Sequence, residues 1–538
     1  MIFSVGHFSS TPFQRTGSTD ESAPALIYGL LDNPELKRFY LLRVDPYDDA
    51  IPGTVEKNFG TGISHLANSS KLWRPYLVDA FNVSIELFSD ATNIGGEARA
   101  TYGAINIAIG DEGVGDELTR LHYDGREFRL YLGGDPALGW TFNDYVEVFR
   151  GKCEEAIWDV NLLTLVVRDP SNVLDIPIQT NLYLGTGGDE GAEDIKGKPK
   201  PLCYGRPRNI SPVLVDRAQL IYQLHDGPVI AINNVYDKGD IYDSDGDTTD
   251  LRAWTGISRK FKTDLSRGMF KLGSSPNGIV TADDIQGDSD SGTLREKQGE
   301  LIKRILKSRA GFTDSQLDLA SLAGLDASGC LYSIYIAEDR NITDILDEIL
   351  KPRSYRTFDT TGRFRVGSVK LDTISYTLQA PYIIRAIRDR TPLPAFRISL
   401  GYAKNWTLMT ENDIAVIHDE LDRDFAINEW RRVVAKDDTV WNPTTQTGKH
   451  PRAQDVNIDT MLGLETHAQA ETNATLALIK ADRHVYLVEA MGIQFRLAIG
   501  QTIKLVYSKF NLSTGRDMIV IGITENTTTG ITTLRLWG

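Results

Sequence analysis

Both halves of the sequence predict antiparallel β structure of a barrel or sandwich kind, with a short helical segment between them. The fold class is mainly β with α+β parts. Three observations predict it. Short runs of alternating apolar residues begin at 81 and recur through turns rich in Gly, Asp and Asn, with no helix between them. Helical spacing of apolar residues appears only after about 292. The segment RDMIVIGITENTTTGITTLRLWG (516–538) alternates Ile519, Ile521 and Ile523, turns through Thr, Asn and Gly, and alternates again at Leu534 and Leu536.

The elements follow in chain order. Residues 1–80 carry the weakest pattern: FYLLRV (39–44) is a short apolar run and PGTVEKNFGTG (52–62) reads as loop. They are expected to form an N-terminal extension that packs on a neighbour. Residues 81–292 form the first β region, with FNVSIELF, GAINIAIG and EFRLYLGG followed by DYVEVFRGKCEEAIWDVNLLTLVVRD. Prolines at 199, 201, 207 and 212 interrupt it, because proline lacks the N–H of a ladder and stiffens the chain. Further strands follow at LIYQL, PVIAINNVY and 268–287. In the last of these SPNG is expected to turn, with Pro276 fixing φ and Gly278 taking a positive φ.

Residues 293–362 read as a helical insert with a hairpin. Leu294, Leu301, Ile302, Ile305 and Leu306 share one face, and Gly311 is a stop. Asn341 caps a later helix that Pro352 ends, and DTTG (359–362) turns a hairpin. Residues 363–538 form the second β region. It holds one long helix over 460–484, whose small face of Ala470, Ala474, Ala477 and Ala481 is expected to approach a sheet. Strands VYLVEA, QTIKLVYSKF, RDMIVIGITEN and ITTLRLWG then close the chain.

At 538 residues the chain exceeds what one core supports, so several domains are expected. A net charge of −15 repels nucleic acid at long range, which disfavours DNA as a bound ligand but allows its passage. The start, MIFSVGHFSSTPFQRTG, lacks the pattern of a secretory leader, and no apolar run is long enough to span a bilayer, so no stable membrane insertion is expected. Cys153, Cys203 and Cys330 are odd in number and widely spaced, which predicts packed thiols in a reduced compartment.

Signs of chemistry are sparse. The histidines at 7, 65, 122, 225, 418, 450, 467 and 484 include no i, i+4 pair of a zinc protease. Asp243, Asp245, Asp247 and Asp250 in YDSDGDTTD invite a calcium reading, but Gly246 stands at loop position four and Trp254 at position twelve. A solvated turn is the preferred reading. GTGGDEG (185–191) lacks dinucleotide-binding spacing, and Lys196, Lys198 and Lys200 lack the interleaved aromatics of a base-stacking surface. Trp73, Trp140, Trp254, Trp406 and Trp441 are candidates for stacking on sugars, with core packing the simpler reading. Carboxylate pairs for sugar hydrolysis stay open, since their separation needs coordinates. No catalytic, cofactor-binding or metal-binding residue is assigned, no cofactor is expected, and the chain is expected not to be an enzyme.

Several segments together resemble tail and baseplate hub proteins of tailed bacteriophages and related prophage elements. They are VFRGKCEEAIWD with LTLVVRDPSNVLDIPIQTNLY, KGKPKPLCYGRPRNISPVLVD, MFKLGSSPNGIVTADDIQGD, and the terminal IGQTIKLVYSKFNLSTGRDMIVIGI with TTLRLWG. The resemblance implies two tube-like antiparallel β-barrel domains, over 81–292 and 363–538, with 293–362 as an accessory lobe. It implies a homotrimer whose six barrels imitate a sixfold ring, joining the tail tube or distal tail protein to tip or fibre proteins. It further implies a lumen that passes DNA and the tape measure without specific binding. The place would be the distal end of the virion's tail, after assembly in the host bacterial cytoplasm. A tail-borne glycan or cell-wall hydrolase and a fibre-anchoring or receptor-binding tip protein are the alternatives. The final strand would either pair with a neighbouring subunit or close the chain's own barrel.

Overall fold

The computed structural model describes residues 22–33, 36–62, 65–88, 94–110, 112–389, 392–410, 414 and 420–538. The opening MIFSVGHFSSTPFQRTG with His7, and His418, lie outside the described residues.

The first sheet has seven strands in the order Lys57–Gly60, Phe39–Val44, Glu127–Gly133, Val146–Trp158, Leu162–Val167, Ile105–Ala108, Leu77–Asp79. Alternation sets its inner face: Phe128, Leu130 and Leu132 are buried on one strand, Leu163, Leu165 and Val167 on another. The sheet is curled, and the chain just ahead of its last strand touches its first. Gly60 N–H donates to Arg74 O at 2.7 Å and Arg74 N–H to Asn58 O at 3.0 Å. Three of these strands fall within the expected 1–80 extension, so sheet membership crosses that boundary. Lys57–Gly60 reads as loop because Phe59 is its one apolar residue, yet that ring is buried in the core.

The second curled sheet runs Tyr376–Leu378, Thr502–Leu505, Arg516–Asn526, Ile531–Trp537, Val485–Met491, Ile383–Arg388. Its two end strands are one course of chain broken by the turn Ala380–Tyr382, so opposite edges of the sheet are tethered by a few residues. The Ile531–Trp537 strand lies between Arg516–Asn526 and Val485–Met491, laddered on both sides. Gly538 N–H donates to His484 O at 3.1 Å, His484 N–H to Gly538 O at 2.9 Å, and Trp537 is 1% exposed. The terminal strand therefore closes the chain's own sheet and offers no edge to a neighbour.

Between these sheets in sequence lies a third sheet of eight strands, from Val213–Asp216 to Thr293–Leu294. Phe261, Phe270, Leu272 and Ile285 form a core separate from that of the first sheet, so the 81–292 region contains two β bodies. The SPNG turn differs from expectation. Gly278 does not adopt positive φ; Asn277 and Gly278 N–H groups donate instead to the Asp237 carboxylate at 2.6 and 2.8 Å, which holds the turn without glycine's freedom.

Helices Gln298–Arg309, Leu319–Asp326 and Ile342–Leu350 precede the hairpin Ser354–Phe358 with Phe364–Ser368. Leu301, Ile302, Ile305 and Leu306 are buried, and Gly311 takes φ 69° just past the first helix end. Leu294, expected on that face, pairs in a strand with Ser289 instead. Asn341 precedes its helix but donates to Asp175 at 2.5 Å and makes no cap bond. These helices share one core with the second curled sheet, so the lobe is not a separate body.

Helix Glu465–Ile479 packs on a three-stranded sheet of Arg431–Lys436, Ala395–Tyr402 and Gln454–Asp459. Its buried face is Ala468, Thr472, Thr475, Leu476 and Ile479, whereas Ala470 and Ala477 are exposed. The alanine face points outward. Leu476 and Ile479 bury more apolar area, and the two threonines satisfy their hydroxyls on Ala468 O and Glu471 O. No helix is long and apolar enough to cross a membrane among the described residues.

Candidate functional site

A cleft of about 630 Å³ opens where the eight-stranded sheet meets the proline-rich connection around Arg206–Asn209 and the helix Glu420–Ile427. Arg208 Nε donates to Asp283 Oδ1 at 2.7 Å while its guanidinium lies 5.3 Å from the Phe425 ring centre, and Arg431 approaches the same ring at 4.8 Å. Arg206 pairs with Glu296 at 2.9 Å, Asp240 with Arg259, and Asp284 accepts from Asn233. Asn209 is buried, and its amide donates to Asn405 Oδ1 at 2.8 Å and Thr407 O at 2.9 Å. Each carboxylate of the cleft already carries a partner, and no histidine or cysteine is among its described lining residues. Such a wall suits polar contacts with a ligand or chain better than proton transfer, which needs a group within reach of its substrate and a base poised to act. The only trace of this site in the sequence is GRPRN, whose arginines stand inside the stiff connection.

A second constellation has the residue types of a catalytic triad. Cys203 N–H donates to His225 Nδ1 at 3.0 Å, so Nε2 carries the proton and faces Asp288 Oδ1 at 3.4 Å. Arg304 clasps the same carboxylate at 2.6 and 3.0 Å. Burial works against ionisation of Asp288, but hydrogen bonds from His225 and Arg304 outweigh it and hold the carboxyl at about 2. Burial pushes the Cys203 thiol well up, which removes the thiolate that nucleophilic attack requires. His225 and Asp288 are buried, and together with Arg304 they tie the eight-stranded sheet to the first helix of the lobe. The geometry is that of a structural staple.

The third arrangement joins the two curled sheets. The chain leaves the first sheet at Asp79 and enters the second at Asn82. Around that crossing, Phe81 N–H donates to the Thr527 hydroxyl at 3.1 Å and that hydroxyl returns to Phe81 O at 2.8 Å. Tyr40 donates to Gln494 Oε1 at 3.2 Å across the same joint. Glu525 sits beside them, 3% exposed, accepting from Phe495 N–H at 2.9 Å and the Thr532 hydroxyl at 2.6 Å. Burial raises its carboxyl to about 7 against those two hydrogen bonds. The alternating run had a signal for it: Glu525 has the parity of Ile523, which faces inward opposite Leu534, whereas a register shift between Val520 and Gly522 puts Ile519 on the other face.

The remaining sequence candidates are dispersed. Asp245 is engaged by Lys260, Lys262 and the Trp254 indole N–H, and Asp247 accepts from Thr263 and Leu265 N–H. The expected solvated turn is instead the exposed strand Asp240–Asp247, which runs parallel to Lys260–Asp264; its Asp245 and Asp247 spend lone pairs on protein donors, and no group of three metal-ligating side chains is found among the described residues. Asp189 in the Gly-rich loop pairs with Arg252 and Arg267. Cys153, Cys203 and Cys330 are buried in three different cores, so they do not converge. The tryptophans also face inward partners: Trp73 stacks on Phe142, Trp140 meets Tyr145 edge-on, and Lys404 lies over Trp406. Trp441 is half-buried.

No family model and no curated protein matches the sequence. Solved structures similar to it include tail and virion proteins. A 43 kDa tail protein of prophage MuSo2 from Shewanella oneidensis is 8% identical, with TM-score 0.35, covering 93% of this chain and 96% of that one. A tail protein from Neisseria meningitidis MC58 is 11% identical, with TM-score 0.33 and coverage of 93% and 96%. A chain from the virion of a native gene transfer agent particle is 14% identical, with TM-score 0.35 and coverage of 69% and 92%. None of these superpositions gives a role to any residue.

Proposed function

We propose that this chain is a structural component of a phage-type tail, acting as a baseplate hub at the distal end of the tail tube. The observation that carries the proposal is that one chain builds two curled β sheets side by side, joined through Asp79–Asn82. Two such bodies per subunit let a trimer present six, which matches a sixfold tube with three copies. The eight-stranded sheet and the small three-stranded sheet stand as the parts that hold tip or fibre proteins, and the cleft around Arg208 lies between the first of these and the helix Glu420–Ile427. DNA and the tape measure pass through the ring. The net charge of −15 keeps such a passage from retaining nucleic acid. The role is structural and not catalytic, in the virion, after assembly in the host cytoplasm. Imaging the purified chain alone and with its tail tube or distal tail protein tests this. Rings with three copies and an open centre support it, whereas a monomer in both samples, or sustained turnover of peptidoglycan by the chain, overturns it.

A further inference from the structure

Of the strands that leave an edge without a strand partner among the described residues, two at the curled sheets are opposite in charge. Strand Val146–Trp158 outruns its neighbour Glu127–Gly133. That ladder ends at Lys152, while the ladder to Leu162–Val167 continues through Trp158. Cys153 N–H still reaches Arg126 O, so the run paired on one side only is Glu154–Trp158. Glu154, Glu155 and Asp159 are exposed along it, with Ile157 at 50% and Val160 at 85%. Strand Ile383–Arg388 ends the second curled sheet. It pairs with Val485–Met491, and no described strand meets its other edge. Arg385 and Arg388 are exposed along it, and Ile384 is exposed at 50%.

A bare edge invites pairing with another chain, and charge on the edge decides which chain is accepted. We infer that Glu154–Trp158 of one copy adds as a strand to Ile383–Arg388 of the next. The inference rests on the ring-forming role and supplies its joint. Main-chain hydrogen bonds continue the second sheet of one copy into the first sheet of another, Glu154 and Glu155 face Arg385 and Arg388, and Ile157 meets Ile384. The charges have little to give up within one copy: Glu154 lies 3.4 Å from Arg168, Arg385 lies 3.8 Å from the half-buried Glu489, and Arg388 lies 3.1 Å from His484 Nδ1, solvent-accessible contacts of small worth. Different surfaces meet, so the contact is head-to-tail and closes into a ring when the rotation per copy allows.

Sedimentation of the full chain over a range of concentrations tests it, with two double variants. Glu154→Lys with Glu155→Lys reverses one edge, and Arg385→Glu with Arg388→Glu reverses the other. Exposed substitutions of this kind leave folding intact, which circular dichroism checks. The wild type is expected to associate and each variant alone to associate at least about tenfold more weakly. A chain carrying all four substitutions is expected to recover association, because each reversed edge then finds an opposite one on the next copy of a three-membered ring. Association unchanged in both double variants, or absent from the chain with all four substitutions, overturns the strand pairing while leaving the ring reading standing. A wild type that stays monomeric even beside its tail tube partner overturns both.

Discussion

Glu525 offers a sharp test of the joint between the curled sheets. Its carboxyl is held at about 7 against an ordinary 4.5, because it is buried and pairs with no cation among the described residues. Arg38 and the Tyr40 hydroxyl are the ionisable groups around the Tyr40–Gln494 contact beside it. Between those two values the folded state holds a proton that the unfolded state has lost. Stability is therefore complete below about pH 4.5 and falls as pH rises through about 7. A difference of this size corresponds to roughly 3 kcal/mol by linkage, an upper figure given relaxation around a buried charge. Glu525→Gln keeps an acceptor for Phe495 N–H and carries no charge, so it is expected to be about 2–3 kcal/mol more stable than wild type at pH 8 and nearly equal at pH 4.5. Denaturant unfolding at both pH values reads this out, with the difference between the proteins as the quantity of interest. Parallel pH dependence in wild type and variant would refute the reasoning, since the buried carboxyl would then be ionised in both states or in neither.

Three further outcomes follow from the same structure. Asp288→Asn removes the two charge-assisted bonds that clasp Arg304 and leaves that half-buried guanidinium only Asp290 at 3.5 Å, and it is expected to cost about 1–3 kcal/mol. In the wild type the depressed Asp288 carboxyl contributes stability present above pH 4 and lost as pH falls toward about 2, and the variant's acid unfolding should lack that component. Trp537→Ala removes a ring packed edge-on against Phe88 and is expected to cost about 3–5 kcal/mol, seen as a lowered unfolding midpoint; an unchanged midpoint would place the last strand outside the core. Burial pushes the Cys153 thiol up to about 12, so it is expected to resist alkylation at pH 8 in the native protein and to react fully in denaturant, which mass spectrometry resolves.

Local periodicity carried much of the fold. Ile105 and Ile107, Phe128 to Leu132, and Leu534 with Leu536 all occupy the inner faces their alternation marks. Leu301 to Leu306 likewise bury the helical face that their spacing marks. The failures have physical causes. Phe59 sits alone among Lys, Asn and Gly, so its strand is visible only through its long-range ladder to Phe39–Val44. In helix Glu465–Ile479 the alanine spacing looked like a packing face, but threonines that bond back to the helix allowed a larger apolar stripe to win. The SPNG turn is held by Asp237, some forty residues upstream, which no local rule sees. Site residues fared in the same way. Glu525 is legible from parity, whereas His225, Asp288 and Arg304 meet only after three segments fold together.

The measurement that bears most directly on the account is a class-averaged electron micrograph of the assembled chain viewed down its axis. Six curled sheets are expected around an open centre, alternating in kind and repeating every 120°. A solid centre, or a particle with no threefold repeat, would contradict it.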